Sequence, residues 1–395
     1  MSGPIARVIV AGGSIGGLSA ALWLREAGCG VEVYERSRTP LEGQGAGIVL
    51  NPATIRWFAE HRGDEADQIG VSARFVRYLD QDGQVAAELS HSYRFTSYDT
   101  LYRRLLAAFG IERYHLGEDV IAGQVDGATA SVHFASGKTR DGDLVVWADG
   151  IGSVGRRELV AQAQPRYAGY VAWRGTVSPG DLSDATRAAL EGAITYCVLP
   201  HSHAITYPIP IAGGLMVNWL WYRNVEPGDA MDTLLTDSAG QRRQVSVPAG
   251  AVAERQIGDL RAAASQHLPA PLVNVVHRTA QPFLQAVFDV EVPRMAFERQ
   301  CLIGDAAFAA RPHAAAGSAK AAEDGYRLGR TMHDAGGDVP SALARWEPPQ
   351  LDLGRRVLAR SREAGDRAQF DGTWKVGDPL PYGLYELGDT IMAPT

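Results

Sequence analysis

The sequence predicts an α/β fold: a parallel-sheet layer with an embedded, mostly antiparallel β-sheet layer, closed by C-terminal helices. Three observations lead there. Residues 5–36 read as a β-branched run, a glycine turn, an amphipathic run of about a dozen residues and a second short strand, which together make one βαβ unit. Between about residues 166 and 292 aromatic residues gather in alternating segments, with Tyr167, Tyr170, Trp173, Tyr196, Tyr207, Trp219, Trp221 and Tyr222 among them. Beyond them, a short apolar run at 301–303 and two long helical patterns return the chain to the first layer.

In the first unit the turn is Gly12-Gly13-Ser14-Ile15-Gly16-Gly17. Gly12 lets the chain leave the strand sharply, and Gly17 lets the next helix pack close to the sheet. That helix begins with free N–H groups and the positive end of its dipole, an anion site suited to a pyrophosphate. Glu35 closes the second strand, 23 residues after Gly12, where a carboxylate can accept from both hydroxyls of a ribose. Ser14 stands at the middle glycine of G-x-G-x-x-G; it is small enough for close approach and brings a hydroxyl that a phosphate oxygen can use. Strand before, helix after and acid at this distance point to an adenine dinucleotide rather than a plain structural corner.

Composition narrows the partners. A chain of 395 residues can bury a large core or two interlocked domains. A formal charge of −7 with no basic stripe gives no support for nucleic acid. Cys29, Cys197 and Cys301 have no C-x-x-C spacing; the expectation is three buried small side chains in a reducing cytoplasm. The first strand begins by Ile5, which leaves no room for a signal peptide, and no apolar run reaches membrane-spanning length. The ten histidines show neither H-x-x-x-H nor H-E-x-x-H spacing, so no metal is expected.

In chain order, residues 37–51 read as a glycine-rich loop, either mobile at the surface or pressed against something flat. Asn51-Pro52 reads as the cap and start of a helix to about His61. A hairpin spans 74–89, and Ser97 opens a helix that stops at Gly110. Residues 114–116 read as a third parallel strand, 120–134 as a second hairpin and 144–148 as a buried strand ending at Asp149-Gly150. The aromatic region supplies strands at 170–177, 194–199, 204–209 and 215–222 and helices near 229–237 and 251–267. Helices at 317–333 and 341–364 end the pattern, and the tail from Phe370 has none. The expected division is 1–165 for the nucleotide domain, 166–292 for the embedded domain, 293–368 for the return and 369–395 for the tail.

Gly12–Gly17 with Glu35, Asp149-Gly150 with Ser153 and Arg156, and Gly304-Asp305 with Pro312 and Gly317 occur in that order. This set resembles the single-component FAD-dependent aromatic hydroxylases, the p-hydroxybenzoate hydroxylase group, over most of the chain to about Arg367. The resemblance implies a Rossmann-like FAD-binding domain with an embedded substrate domain. It places Gly12, Gly13, Ser14, Ile15, Gly16 and Gly17 along the FAD pyrophosphate, with Glu35 on the adenosine ribose and Arg36 beside it. Val120 falls where a backbone group meets the adenine, and Asp305 where an acid meets the ribityl chain and pyrophosphate. Ala316 and Gly317 would turn amides to the flavin N1–C2=O edge, and the loop 45–48, with Gly47 and Ile48, would cover the isoalloxazine. Asp149 matches a second acidic motif that supports FAD and the nicotinamide cofactor. Three positions depart from the family pattern: Tyr98 replaces an arginine, whose role either Arg103 or Arg104 takes over or nothing does; Phe308 replaces a histidine; and Lys320 lies in the helix that usually carries an asparagine near Ala319.

Only one dinucleotide fingerprint is present, so FAD is the expected resident cofactor and NADH or NADPH a transient reductant. The implied activity is hydroxylation of a small hydroxylated aromatic or N-heteroaromatic ring, dihydroxypyridine-like, through a flavin C4a-hydroperoxide, with the ring and O₂ as small-molecule partners and a homodimer left open. Activating the ring calls for a base; the candidates are His313 and His203, with Tyr207 and Tyr222 behind them, against a purely structural role for His203. Tyr196, Tyr207, Trp219 and Pro312 are the candidate substrate contacts, although aromatics on alternating strands are also ordinary core. Arg174 reads as a substrate anion clamp or, more simply, a surface ion pair. A flavin oxidase or dehydrogenase and a flavin-binding redox sensor are the competing readings.

Overall fold

The computed structural model describes residues 5–43 and 46–386. Gln44 and Gly45 of the glycine-rich loop lie outside the described residues. The expected βαβ unit is present: Arg7–Ala11, the helix Ile15–Glu26 and Gly30–Glu35, the strands parallel and in direct contact. Its helix is buried along nearly its whole length, within the core of the first sheet on one side and with Ala20 and Trp23 against a second helix, Gly317–Asp334, on the other. Gly325 and Gly329 allow that crossing. A Cβ at Gly325 would sit 2.6 Å from the Ala20 Cα.

The first sheet runs Ala296–Phe297, Gln300–Leu302, Leu144–Trp147, Arg7–Ala11, Gly30–Glu35 and Tyr114–Leu116. All neighbours are parallel except the terminal pair, Ala296–Phe297 with Gln300–Leu302, a tight antiparallel return. The strands are apolar on both faces, as a sheet covered on both sides requires. A three-stranded antiparallel sheet, Val120–Asp126, Thr129–Phe134 and Thr139–Gly142, covers one side.

The second sheet has nine strands in the order Ser246–Val247, Phe283–Asp289, Arg166–Val177, Gly214–Asn224, Ser202–Ile211, Ala193–Leu199, Val71–Leu79, Val85–Ser97 and Gly47–Val49. Its pairs are antiparallel except Ala193–Leu199 with Val71–Leu79. The hairpin at 71–97 belongs to the aromatic sheet, because Phe75–Leu79 pairs with Ala193–Cys197. Part of the expected loop at 37–51 is also a strand, held as Gly47–Val49 pairs with Phe95–Ser97.

Both faces of this sheet are buried. On one, Val171, Trp173, Trp219 and Trp221 pack against the helices Asp184–Leu190, Glu254–His267 and Ala270–Arg278. The other face presents Tyr170, Ala172, Tyr196, Ile205, Tyr207, Leu220 and Tyr222 toward the nucleotide layer. The final helix, Val339–Asp366, is longer than expected and contains Pro348 and Pro349. No helix among the described residues is long and apolar enough to cross a membrane.

Candidate active site

A cavity of about 510 Å³ lies between the two large sheets. One arm runs along the glycine turn and the start of the helix Gly317–Asp334; the other ends against the aromatic sheet.

The cofactor arm is built from close backbone approaches. Gly12 has φ +105°, and a Cβ there would fall 2.3 Å from the Ala148 carbonyl oxygen. A Cβ at Gly17 would fall 1.9 Å from the Gly12 oxygen, so only glycine permits this turn. Ser14, Ile15 and Gly16 form its cavity wall. Glu35 is buried and staples the turn: Oε2 accepts from the Gly13 amide and Oε1 from the Ser37 amide, both at 2.9 Å. Arg36 is exposed beside it, and Val120 opens a strand near that end without reaching the cavity wall.

The substitution of Ser14 for glycine has a structural partner. Its Oγ lies 2.7 Å from the Tyr98 hydroxyl, which also lines the cavity. Arg103 does not take over the position of Tyr98, because it pairs with Asp99 and Glu42 at the surface; Arg104 faces Glu65 at 3.4 Å. Phe308 is packed beneath Gly354. Lys320 is buried in an ion pair with Asp324, whose other oxygen accepts from the Gly304 amide at 3.0 Å. Lys320 therefore braces the wall rather than lining the cavity.

Asp149 caps a short helix through Oδ2, which accepts from the Val154 amide at 2.6 Å, and its Oδ1 is buried without a partner. Burial pushes its carboxyl upward. Its neighbours Ala148 and Gly150, rather than Asp149 itself, form the wall. Asp305 opens into the cavity; burial within the protein pushes it up to about 6 against the opposing pull of Arg156, and access to cavity water tempers that push. Arg156 fixes the turn beneath by donating to the Asp305 and Ala306 carbonyls. The helix Gly317–Asp334 starts with no side-chain cap and no acid in its first turn, next to the cavity wall formed by Ala315, Ala316, Gly317 and Ser318. Asn51, expected as a helix cap, instead donates its Nδ2 to the Ala315 carbonyl at 2.8 Å and anchors this corner. An elongated cavity with a glycine-only turn at one end, an uncapped helix N-terminus along it and an acid facing in fits FAD.

The second arm ends in a cluster of rings. Centroids of His203 and Tyr222 are 4.6 Å apart, Tyr222 and His313 4.9 Å, and His203 and His313 5.2 Å. Both histidines are buried, and burial holds both low, His313 at about 3. His313 Nε2 lies 2.8 Å from the Tyr170 hydroxyl. Burial keeps that phenol well above its ordinary range, and Arg311 donates to it, so its own proton points to His313. The imidazole then carries hydrogen on Nδ1. His203 Nδ1 receives a bond from Gln369 Nε2 at 3.0 Å, which leaves its hydrogen on Nε2. Both expected bases are therefore neutral N–H donors, and poor proton acceptors near neutral pH.

Of the expected substrate contacts, Tyr196, Tyr207 and Pro312 line this arm. Trp219 does not. It lies on the opposite face of its strand, where its Nε1 donates to Thr279 Oγ1 at 2.7 Å, and Leu220 and Tyr222 point into the cavity instead. Arg174 is not a surface ion pair either. It belongs to the cavity wall, its Nε is buried without a partner, and its charge is felt at Tyr207 and Tyr222. The tail was missed entirely: Trp374, Leu380 and Tyr382 close the arm, and the Tyr382 hydroxyl meets that of Tyr196. Their only sequence signal was apolar residues in a Gly- and Pro-rich segment.

Comparison with known proteins agrees with this construction. Residues 167–289 match the FAD binding domain-like family. The chain is 38% identical over 394 residues to the 2,6-dihydroxypyridine 3-monooxygenase of Paenarthrobacter nicotinovorans, covering 98% of each chain. It is 27% identical to a salicylate hydroxylase of Pseudomonas putida, covering 98% of this chain and 87% of that one. The solved 2,6-dihydroxypyridine-3-hydroxylase from Arthrobacter nicotinovorans superposes with a TM-score of 0.91 at 37% identity, covering 96% of this chain and 97% of that one. Klebsiella pneumoniae HpxO, complexed with FAD and uric acid, shares the fold at a TM-score of 0.77 and 23% identity, covering 92% of this chain and 89% of that one.

Proposed function

The chain belongs to the FAD-dependent aromatic-ring monooxygenases, and from that premise we propose that its substrate is a small dihydroxylated N-heteroaromatic ring of the 2,6-dihydroxypyridine kind, oxidised with NADH or NADPH as transient reductant. The observation that carries this reading is the closed second arm. It joins the cofactor arm directly, and its walls are Tyr196, Tyr207 and Tyr222 with two neutral imidazoles at the end, a flat slot for one ring with donors for its oxygens.

Bound FAD supplies the oxygen-activating and oxygen-transferring chemistry. The turn Gly12–Gly17 would hold its pyrophosphate, with Ser14 donating to a phosphate oxygen. Glu35, already holding the turn, has lone pairs left for the ribose, and Asp305 faces the ribityl chain. Free amides at Ala316 and Gly317 would stabilise negative charge at the N1–C2=O edge. Gly47 and Ile48 would form the opposite wall. His313 and His203 would donate to ring oxygens, Pro312 would set the ring against the helix start, and the tail would keep water out. Three buried free cysteines are compatible with a cytoplasmic setting.

The test is oxidation of NADH and NADPH by FAD-loaded protein with and without 2,6-dihydroxypyridine, following oxygen, peroxide and product together. Strong stimulation with product equal to reductant consumed is expected. Stimulation yielding mainly peroxide would move the substrate to another ring, and no response to any hydroxylated ring would refute the reading.

A further inference from the structure

The second arm contains a cation with no counter-charge of its own. Arg174 forms none of the ion pairs among the described residues. The other guanidinium groups around the cavity are occupied: Arg311 by Asp289 and Asp366, Arg367 by Asp378, and Arg360 by the Gly383 and Leu384 carbonyls. The acids on the wall, Asp305 and Glu363, lie on the cofactor arm and the last helix rather than on the aromatic sheet. The strand Arg166–Val177 places Arg174 on the face of Tyr170 and Ala172, toward the cavity. Its Nε is buried and has nothing to donate to. A buried N–H donor without an acceptor is costly, and more so on a charged group.

The surrounding side chains do not neutralise it. Tyr207 and Tyr222 are kept protonated by burial even though Arg174 opposes that push, at Tyr222 also by donating a hydrogen bond to its hydroxyl, so Arg174 has a neutral partner but no anionic one. His203 and His313 are donors, as their bonds to Gln369 and Tyr170 require. The aromatic-sheet wall of the arm thus offers one positive charge, several donors and no anion. Its complement is a flat ring bearing a negative oxygen. A dihydroxylated N-heteroaromatic ring provides one by losing an O–H proton to water: the O–H bond breaks, and its electron pair stays on oxygen and spreads through the ring.

We propose that Arg174 is the substrate-recognising cation of this enzyme: it binds the ring as its oxyanion, with His203 and His313 as neutral donors to ring oxygens. The proposal rests on the ring substrate assigned above. Electron density pushed into the ring by the oxyanion is what an electrophilic oxygen needs, so Arg174 selects the reactive form and no side chain has to remove the proton.

The experiment titrates FAD-loaded wild type, R174Q and R174K with 2,6-dihydroxypyridine and with 2,6-dimethoxypyridine, which cannot ionise at oxygen, by the change in flavin absorbance. R174Q should bind the dihydroxy ring at least tenfold more weakly, equivalent to about 1.4 kcal/mol, with the dimethoxy ring unchanged; R174K should recover part of the loss. Equal affinities in wild type and R174Q, or equal losses for both rings, would overturn the proposal. Should R174Q fail to retain FAD, the wild type decides: the near-ultraviolet spectrum of bound 2,6-dihydroxypyridine, taken below the pH at which the free ring ionises, should be that of the anion. The spectrum of the neutral ring would overturn the proposal. Turnover without any effect of R174Q would sink Arg174 alone, whereas a wild type inert to every hydroxylated ring would sink the substrate assignment.

Discussion

Tyr170→Phe is the most informative single change outside the cavity wall. Tyr170 is fully buried, and its hydroxyl makes one short bond, 2.8 Å to His313 Nε2. Phenylalanine keeps the ring contacts with Tyr222 and Phe370 and removes the donor to His313 together with the oxygen that accepts from Arg311, which keeps its ion pairs with Asp289 and Asp366. His313, itself only 9% exposed, is then left with a buried acceptor lacking a partner, which costs about 1–3 kcal/mol of stability. With the donor gone, its tautomer is no longer fixed, and Nδ1 ceases to be a dependable donor toward the ring. FAD content should be unchanged, since the glycine turn is untouched. Coupling, measured as product formed per NAD(P)H consumed, should fall roughly tenfold, the equivalent of about 1.4 kcal/mol for the loss of one ordinary hydrogen bond. Urea denaturation and a peroxide assay read the two effects separately. A variant as stable and as coupled as wild type would refute the view that Tyr170 orients His313.

Other expected outcomes bear on separate parts of the account. His313→Ala should retain FAD while most reducing equivalents go to peroxide; unchanged coupling would remove His313 from the chemistry. Tyr98→Phe breaks the 2.7 Å contact with Ser14 and should weaken FAD binding several-fold, measured by flavin release on dilution. Trp219→Phe should cost about 1 kcal/mol through loss of the bond to Thr279, with no change in affinity for the ring, because Trp219 faces the helices. The folded protein holds His313 unprotonated down to about pH 3, whereas the unfolded chain takes up that proton near 6.5. Its contribution is therefore complete above about 6.5 and is lost as pH falls toward 3, with a slope of about 1.4 kcal/mol per pH unit for one proton. His313→Asn should flatten that slope in denaturation curves at successive pH values.

The parts of the fold legible in the sequence are those set by short-range rules. The turn at Gly12–Gly17, the helix from Tyr98 stopped by Gly110 and the strand ending at Asp149 each announce themselves within a dozen residues. The division into layers was harder to read because strands far apart in sequence pair, as at Phe75 with Ala193. Trp219 was misplaced for a different reason. Its sheet is buried on both faces, so alternation along Leu215–Tyr222 says that neighbours diverge but not which face meets the cavity. Arg174 stands on the same kind of strand, where an internal charge has no local signature. The tail carries no period at all, and contacts made only on folding, Tyr382 with Tyr196 and Trp374 with His203, reveal that it closes the site.

The central claim is that the enzyme inserts one atom of dioxygen into a hydroxylated ring. The most direct measurement supplies isotopically labelled O₂ to FAD-loaded protein with NADH or NADPH and 2,6-dihydroxypyridine, and follows the label by mass spectrometry. One labelled oxygen per molecule of product is the result this account predicts. Product oxygen drawn from water, or label found only in peroxide with every hydroxylated ring tried, would contradict it.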